Sequence, residues 1–226
     1  MQSFSTVVRL LQQLIQIDSQ NGNELAVAQL VAQTLKKAGI QCKIDEFEPG
    51  RANLIAEVGH GRRILGLSGH LDTVIIGSRD SWEYDPFGGE IINDRLYGRG
   101  AADMKSGLAA MITTLIDVQN GDVPINGKVR LLLTAGEEFG APGSARLAAQ
   151  GEIDDLNGIV IGEQTDNQVL FAHAGSLNYQ LSSIGKAAHS SKPELGINAL
   201  TPLFEYANIE GCAFDKLPID LRKSNA

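Results

Sequence analysis

The sequence predicts an α/β fold, a sheet with helices on both faces, followed by the start of a second, smaller domain near Ser176. Three observations lead there. Strand-like apolar segments alternate with segments of helical period from Met1 to about residue 175. Three acidic or histidine groups stand just past the C-terminal ends of three of those strands, where open α/β sheets carry their sites. From Ser176 the character changes, and Gly211 to Ala226 shows little periodicity.

The elements follow in order. Thr6 to Ile17 places Val7, Leu10, Leu11, Leu14 and Ile15 on one helical face, with Ser3 or Ser5 available as a cap. Asn23 is positioned to cap a second helix, Glu24 to Ala38, which Gly39 ends. Ile40 to Phe47, Asn53 to Val58 and Arg63 to Ser68 read as strands, the last two joined by a hairpin-like turn at Gly59-His60-Gly61-Arg62. Ile75 to Gly89 is a long loop, and Glu90 to Leu96 a short hairpin around Asn93-Asp94. Leu108, Met111, Ile112, Leu115 and Ile116 mark a buried helix that runs to about Gln119. Lys128 to Thr134 is an apolar strand, Ser144 to Gln150 a short helix, and Gly158 to Ile161 a buried strand. In the second domain Leu177 to Ile184 alternates as a strand, Gly185 to Pro193 is a loop, and Asn198 to Asn208 is a helix.

The chain has 226 residues, a hydrophobic fraction of 43% and a net charge of −8 with no basic stripe, which argues against nucleic acid as a partner. No apolar run approaches the ~18 residues of a membrane span. The N-terminus lacks the basic region and apolar core of a secretory signal. Cys42 and Cys212 are far apart and read as reduced thiols of a cytoplasmic protein.

Asp103 lies in the glycine-loosened run Gly98-Arg99-Gly100-Ala101-Ala102-Asp103, at the entrance to the buried helix. A carboxylate there needs a strong partner. His70 and Asp72 upstream, and Glu137, Glu138 and Glu163 downstream, supply only oxygen and imidazole donors. His70, Asp103, Glu138 and Glu163 are 33, 35 and 25 residues apart, about one strand-helix unit each, so successive units can deliver ligands to one sheet edge. In extended backbone His70 and Asp72 point to the same side. A metal-bound imidazole uses such a carboxylate to hold its other N–H, although a surface His–Asp pair has the same spacing. Glu137 and Glu138 end a strand where one can bind metal and the other serve as a base; a solvated acidic loop is the plainer alternative. Donors without thiolate suit Zn²⁺, with Co²⁺ or Mn²⁺ as substitutes, and Asp103 reads as the bridge of a two-metal hydrolytic site. His189, taken alone, is a loop histidine.

The motifs Gly69-His70-Leu71-Asp72-Thr73-Val74, Tyr97 to Gly107, Glu137-Glu138, Gly162-Glu163 and Gly185 to Asn198 occur together and in order. In this the chain resembles the acetylornithine deacetylase and succinyl-diaminopimelate desuccinylase family of co-catalytic zinc amidohydrolases and peptidases, from Met1 to about Asn208. The resemblance implies a zinc-exopeptidase-like catalytic sheet in residues 1–175, incomplete because it lacks a C-terminal return, and the beginning of a ferredoxin-like lid and dimerisation domain in residues 176–226. It implies two Zn²⁺ ions, the first held by His70 and Glu163, the second by Glu138, with Asp103 bridging. Asp72 would orient His70, and Glu137 would be the general base. His189 would reach the neighbouring subunit's site in a homodimer and steady the oxyanion. The substrate would be a small N-acyl amino acid or a peptide.

The family pattern also carries a further histidine ligand to the second metal, beyond where this chain stops at Ala226. His60, roughly 20 Å from His70 at ~3.3 Å per strand residue, and His173, which has no matching motif, are not expected to replace it. Residues 1–226 alone are therefore expected to be poorly soluble or loosely folded, with impaired deacylase activity. The competing readings are a dipeptidase or carboxypeptidase on the same scaffold, and a non-catalytic truncated remnant.

Overall fold

The computed structural model describes residues 2–172 and 180–209. The chain divides into two compact units, residues 1–169 and 170–226.

The first unit opens with helix α1, Phe4–Ile15, whose N-terminus is capped by the Ser3 hydroxyl accepting the Thr6 N–H. Helix α2, Glu24–Lys37, follows, and Gly39 at φ +75° ends it as expected. Asn23 stands at the α2 N-cap position, but its side chain makes no cap and instead donates to the Asp18 carbonyl. Strands β1 (Cys42–Glu48), β2 (Arg51–His60) and β3 (Ile64–His70) come next. The small β4–β5 hairpin, Glu90–Ile92 with Arg95–Tyr97, turns on Asn93 and Asp94, both at positive φ. Helix α3, Lys105–Gln119, strand β6, Gly127–Thr134, helix α4, Pro142–Ala149, and strand β7, Gly158–Ile161, complete the unit.

The five long strands form one mixed sheet in the order β1-β2-β6-β3-β7. Here the sequence expectation needs correction. β2 and β3 do not form a hairpin, because β6 is inserted between them, antiparallel to β2 and parallel to β3. The alternating pattern specifies strands but not their partners, and β6, which carries the apolar run Leu131-Leu132-Leu133, takes the centre. Its burial follows: Leu131, Leu132 and Leu133 are all inaccessible or nearly so. A second correction concerns β7. It is an edge strand, and Ile159, Val160 and Ile161 remain 47–58% exposed. Four consecutive strand residues without polar interruption read as core, yet nothing among the described residues covers them.

One face of the sheet carries the main core. Leu14, Val27, Val31, Leu35, Leu54, Leu67, Leu108, Ile112, Leu115 and Leu131 meet between α1, α2, α3 and the strands. Burying each such side chain is worth about 1.5–3 kcal/mol. The opposite face holds a smaller cluster of Ile55, Leu132 and Leu147 under α4.

Lys105 is buried within that core, at the first position of α3. Its ammonium donates to the carbonyls of Leu14 and Ile17, both at 2.8 Å, tying the segment after Asp103 to the end of α1. Burial pushes its pKa down to about 8, against a smaller upward pull from Asp18. The unfolded chain therefore holds this proton more tightly than the folded one. The unfavourable contribution is complete below pH 8 and is relieved as pH rises from there toward the ordinary lysine value. We expect the urea midpoint of the wild type to carry a component that rises with pH above 8, and Lys105→Met to lack it.

Among the described residues of the second unit, a bridge joins Lys186 and Ile197, and helix α5 spans Leu200–Ile209. The expected strand 177–184 lies partly outside the described residues, and its described part, 180–184, forms no strand among the described residues. His173, Cys212 and the stretch 211–226 also lie outside them. Among the described residues no helix is long and apolar enough to cross a membrane.

Candidate metal centre

The parallel strands β3 and β6 end side by side, with His70 opposite Thr134. His70 is buried, and its main-chain N–H donates to the Met104 sulfur at 3.1 Å. Its ring Nδ1 lies 2.9 Å from the main-chain carbonyl oxygen of Asp72. A carbonyl can only accept, so Nδ1 carries a proton and Nε2 faces the open end of the sheet. There it meets Asp103 Oδ1 at 3.0 Å and Glu163 Oε1 at 3.6 Å. His60 is at the far end of the sheet, paired with Gly127 where β6 begins.

Asp103 is delivered by a loop whose glycines do specific work. Gly100 adopts φ +81°, and a Cβ there would strike Thr73. The Asp103-Met104 peptide is cis. Met104 is fully buried beneath Gly69, where a Cβ would sit 2.4 Å from its methyl group. Glu163 reaches the same place because α3 passes very close to the end of β7. A Cβ on Gly107 would lie 2.0 Å from the Gly162 carbonyl oxygen. Gly107→Ala should push the Glu163 segment away from Asp103. We expect a stability loss of about 1–3 kcal/mol from overpacking, read from urea unfolding, together with weaker binding of a divalent metal.

Glu137 and Glu138 sit on a single 3₁₀ turn after β6, entered through Gly136 at φ +75°. The two differ in burial, Glu137 exposed and Glu138 half-buried. Their turn is held from several sides. The Asp72 carboxylate accepts the N–H groups of Gly136, Glu137 and Glu138 at 2.8, 3.1 and 3.1 Å. Buried Asn53 bridges the Ala135 N–H and the Gly143 carbonyl, both at 3.0 Å. Arg51, paired with buried Glu24 at 3.0 Å, packs where a Gly136 Cβ would be. Asp72 Oδ1 is 3.7 Å from His70 Nδ1, too far for a hydrogen bond, so the side-chain clamp expected for the imidazole is made by the main chain instead.

His70, Asp103 and Glu138 can each offer one donor atom within 4.8 Å of the others. Burial and the neighbouring Asp103 raise the Glu138 carboxyl above its ordinary value. Burial likewise raises Glu163, more than His70 lowers it, with Asp103 adding to the rise. Burial opposes charge on His70, but Asp72, Glu163 and Asp103 outweigh it and hold the ring above the usual histidine value. Crowded carboxylates that resist ionising, around an imidazole with Nε2 turned toward them, make a donor set that a divalent cation fits. His189 belongs to the second unit, where its Nδ1 lies 2.9 Å from the Ser191 hydroxyl.

The family model for peptidase family M20/M25/M40 matches residues 66–208. The chain belongs to this family. Among similar curated proteins, a probable succinyl-diaminopimelate desuccinylase of Staphylococcus epidermidis is 40% identical over 201 residues, covering 89% of this chain and 50% of the relative. Succinyl-diaminopimelate desuccinylase of Wolbachia pipientis is 32% identical over 217 residues, covering 92% of this chain and 54% of the relative. The chain thus spans about half the length of the curated relatives it matches. A solved M20 family metallo-carboxypeptidase from Sulfolobus solfataricus superposes with a TM-score of 0.62 over 69% of this chain and 37% of that one, at 21% identity, which shows the shared fold. In this M20/M25/M40 chain the matched region contains His70, Asp72, Asp103, Glu137, Glu138, Glu163 and His189.

Proposed function

We propose that the protein hydrolyses the amide bond of a small N-acyl amino acid at a two-zinc centre, with a succinyl-diaminopimelate type substrate. The observation that carries this is the convergence of His70, Asp103 and Glu138, with Glu163 beside them, at the end of the sheet next to an exposed carboxylate, Glu137. The names of relatives at 32–40% identity support the choice of substrate class.

In this reading His70 and Glu163 hold the first ion, Glu138 the second, and Asp103 bridges. Zn²⁺ suits a nitrogen and oxygen donor set without thiolate, with Co²⁺ or Mn²⁺ as substitutes. Such ions, when bound, polarise the scissile carbonyl and acidify water. Glu137 takes a proton from the attacking water and passes it to the leaving amine as the carbon–nitrogen bond breaks. The products are the free carboxylate of the acyl group and the amino acid. The catalytic part is residues 1–175 and the lid begins at residue 176. His189 acts from that lid across a homodimer, on the strength of the motif that surrounds it, in a cytoplasmic enzyme.

The test is hydrolysis by the zinc-loaded full protein of N-succinyl-diaminopimelate, N-acetylornithine and a dipeptide. Faster release of succinate than of acetate or of free amino acids is expected. Preferential dipeptide cleavage would favour a peptidase, and a protein that binds zinc but turns over none of the three would favour a non-catalytic role.

A further inference from the structure

We propose that Asp72 positions the Glu137–Glu138 pair through its carboxylate, and that the His70 ring is set instead by the Asp72 main-chain carbonyl. The proposal rests on the metal-hydrolase reading above and deepens it.

The first N–H groups of a helical turn have no partner within the turn. Here all three, from Gly136, Glu137 and Glu138, point at one carboxylate on the neighbouring strand end. Asp72 Oδ1 accepts two of them and Oδ2 the third. Hydrogen bonds to an ionised acceptor are about twice as strong as neutral ones, so this buried side chain holds the N–H end of the turn on which both glutamates stand. His70 is served by a different atom of the same residue. Its Nδ1 is 2.9 Å from the carbonyl oxygen and 3.7 Å from the nearer carboxylate oxygen. One residue thus links two parts of the centre, and the two links are separable. Changing the side chain leaves the carbonyl in place.

Asp72→Asn makes the separation. An amide has one acceptor oxygen and turns an NH₂ toward the remaining N–H groups. The glutamate turn loses at least one bond, while the imidazole keeps its acceptor. A residue acting on the ring through its carboxylate predicts the reverse.

The experiment uses the full chain. In the metal-free protein, ¹⁵N NMR reads amide exchange at Gly136, Glu137 and Glu138 and the two ring nitrogens of His70. Asp72→Asn should speed exchange at those amides at least about tenfold, as loss of one hydrogen bond to a charged group implies. The His70 ring should stay protonated at Nδ1. On titration with Co²⁺, followed by visible absorption, the first equivalent should bind as in the wild type. The second should weaken about 10–100-fold, the usual effect of losing an outer partner. A changed His70 tautomer with unchanged amides, or a weakened first equivalent with an intact second, would overturn the proposal. If the variant does not fold, the wild type decides. Scalar couplings across the hydrogen bonds from the three amide nitrogens to the Asp72 side-chain carboxyl carbon support it, and a coupling from His70 Nδ1 to that carbon in their place overturns it. Co²⁺ binding by wild type that is unchanged in His70→Ala would refute the metal reading, while the metal-free measurements still judge Asp72.

Discussion

His70→Ala should abolish tight zinc binding. The ring is buried at the end of β3, and its Nδ1 proton is engaged by the Asp72 carbonyl, so Nε2 is the nitrogen turned toward Asp103 and Glu163. Removing it leaves three carboxylates with no nitrogen donor and an uncompensated cluster of negative charge. The loss should exceed the about 10–100-fold that removal of an outer partner costs. The same geometry sets a pH dependence. Burial works against charge on His70, but the surrounding carboxylates hold its pKa above the usual value in the metal-free protein. Proton and metal compete for Nε2, so zinc affinity should fall as pH drops below that raised pKa and level off above it. Calorimetric titration in buffers of different ionisation enthalpy reads both the affinity and the proton released. Tight binding that survives His70→Ala would remove the assignment.

Glu137→Gln should lower turnover by about 10²–10⁴-fold, the contribution of a general base, and leave zinc content unchanged. Glu138→Gln should instead lower occupancy of the second ion. The expected difference follows from their placement, since Glu138 comes within 4.8 Å of the His70 and Asp103 donors while Glu137 is exposed beside them. Metal analysis beside the rate for each variant is the check. Equal metal loss in both would show that the two glutamates do not divide the work.

The residues of this centre were legible in the sequence, and their supports were not. His70, Asp103, Glu138 and Glu163 stand out because a charged or imidazole group at the end of an apolar strand is unusual and the spacing repeats. Asn53 and Arg51 carry no such mark. They sit in or beside a strand, and only the pairing of β2 with β6 brings them under the glutamate turn. Gly107 reads as an ordinary helical glycine until the approach of Gly162 to α3 is known. A spacing of two residues puts Asp72 beside His70 but cannot tell a carboxylate contact from a carbonyl contact. The strands themselves were recovered from alternation, whereas the insertion of β6 between β2 and β3 is a long-range pairing that no local pattern encodes. The apolar run of β7 reads as buried because hydrophobicity reports what a strand could pack against, and the described residues leave that side open.

The central claim is that His70, Asp103, Glu138 and Glu163 surround metal. Anomalous diffraction at the zinc edge, from crystals of the full protein soaked in Zn²⁺, locates the ion directly. The account predicts a peak at coordination distance, about 2.0–2.1 Å, from His70 Nε2 and against the carboxylates of Asp103 and Glu163. Zinc peaks found elsewhere on the chain, with none beside His70, would contradict it.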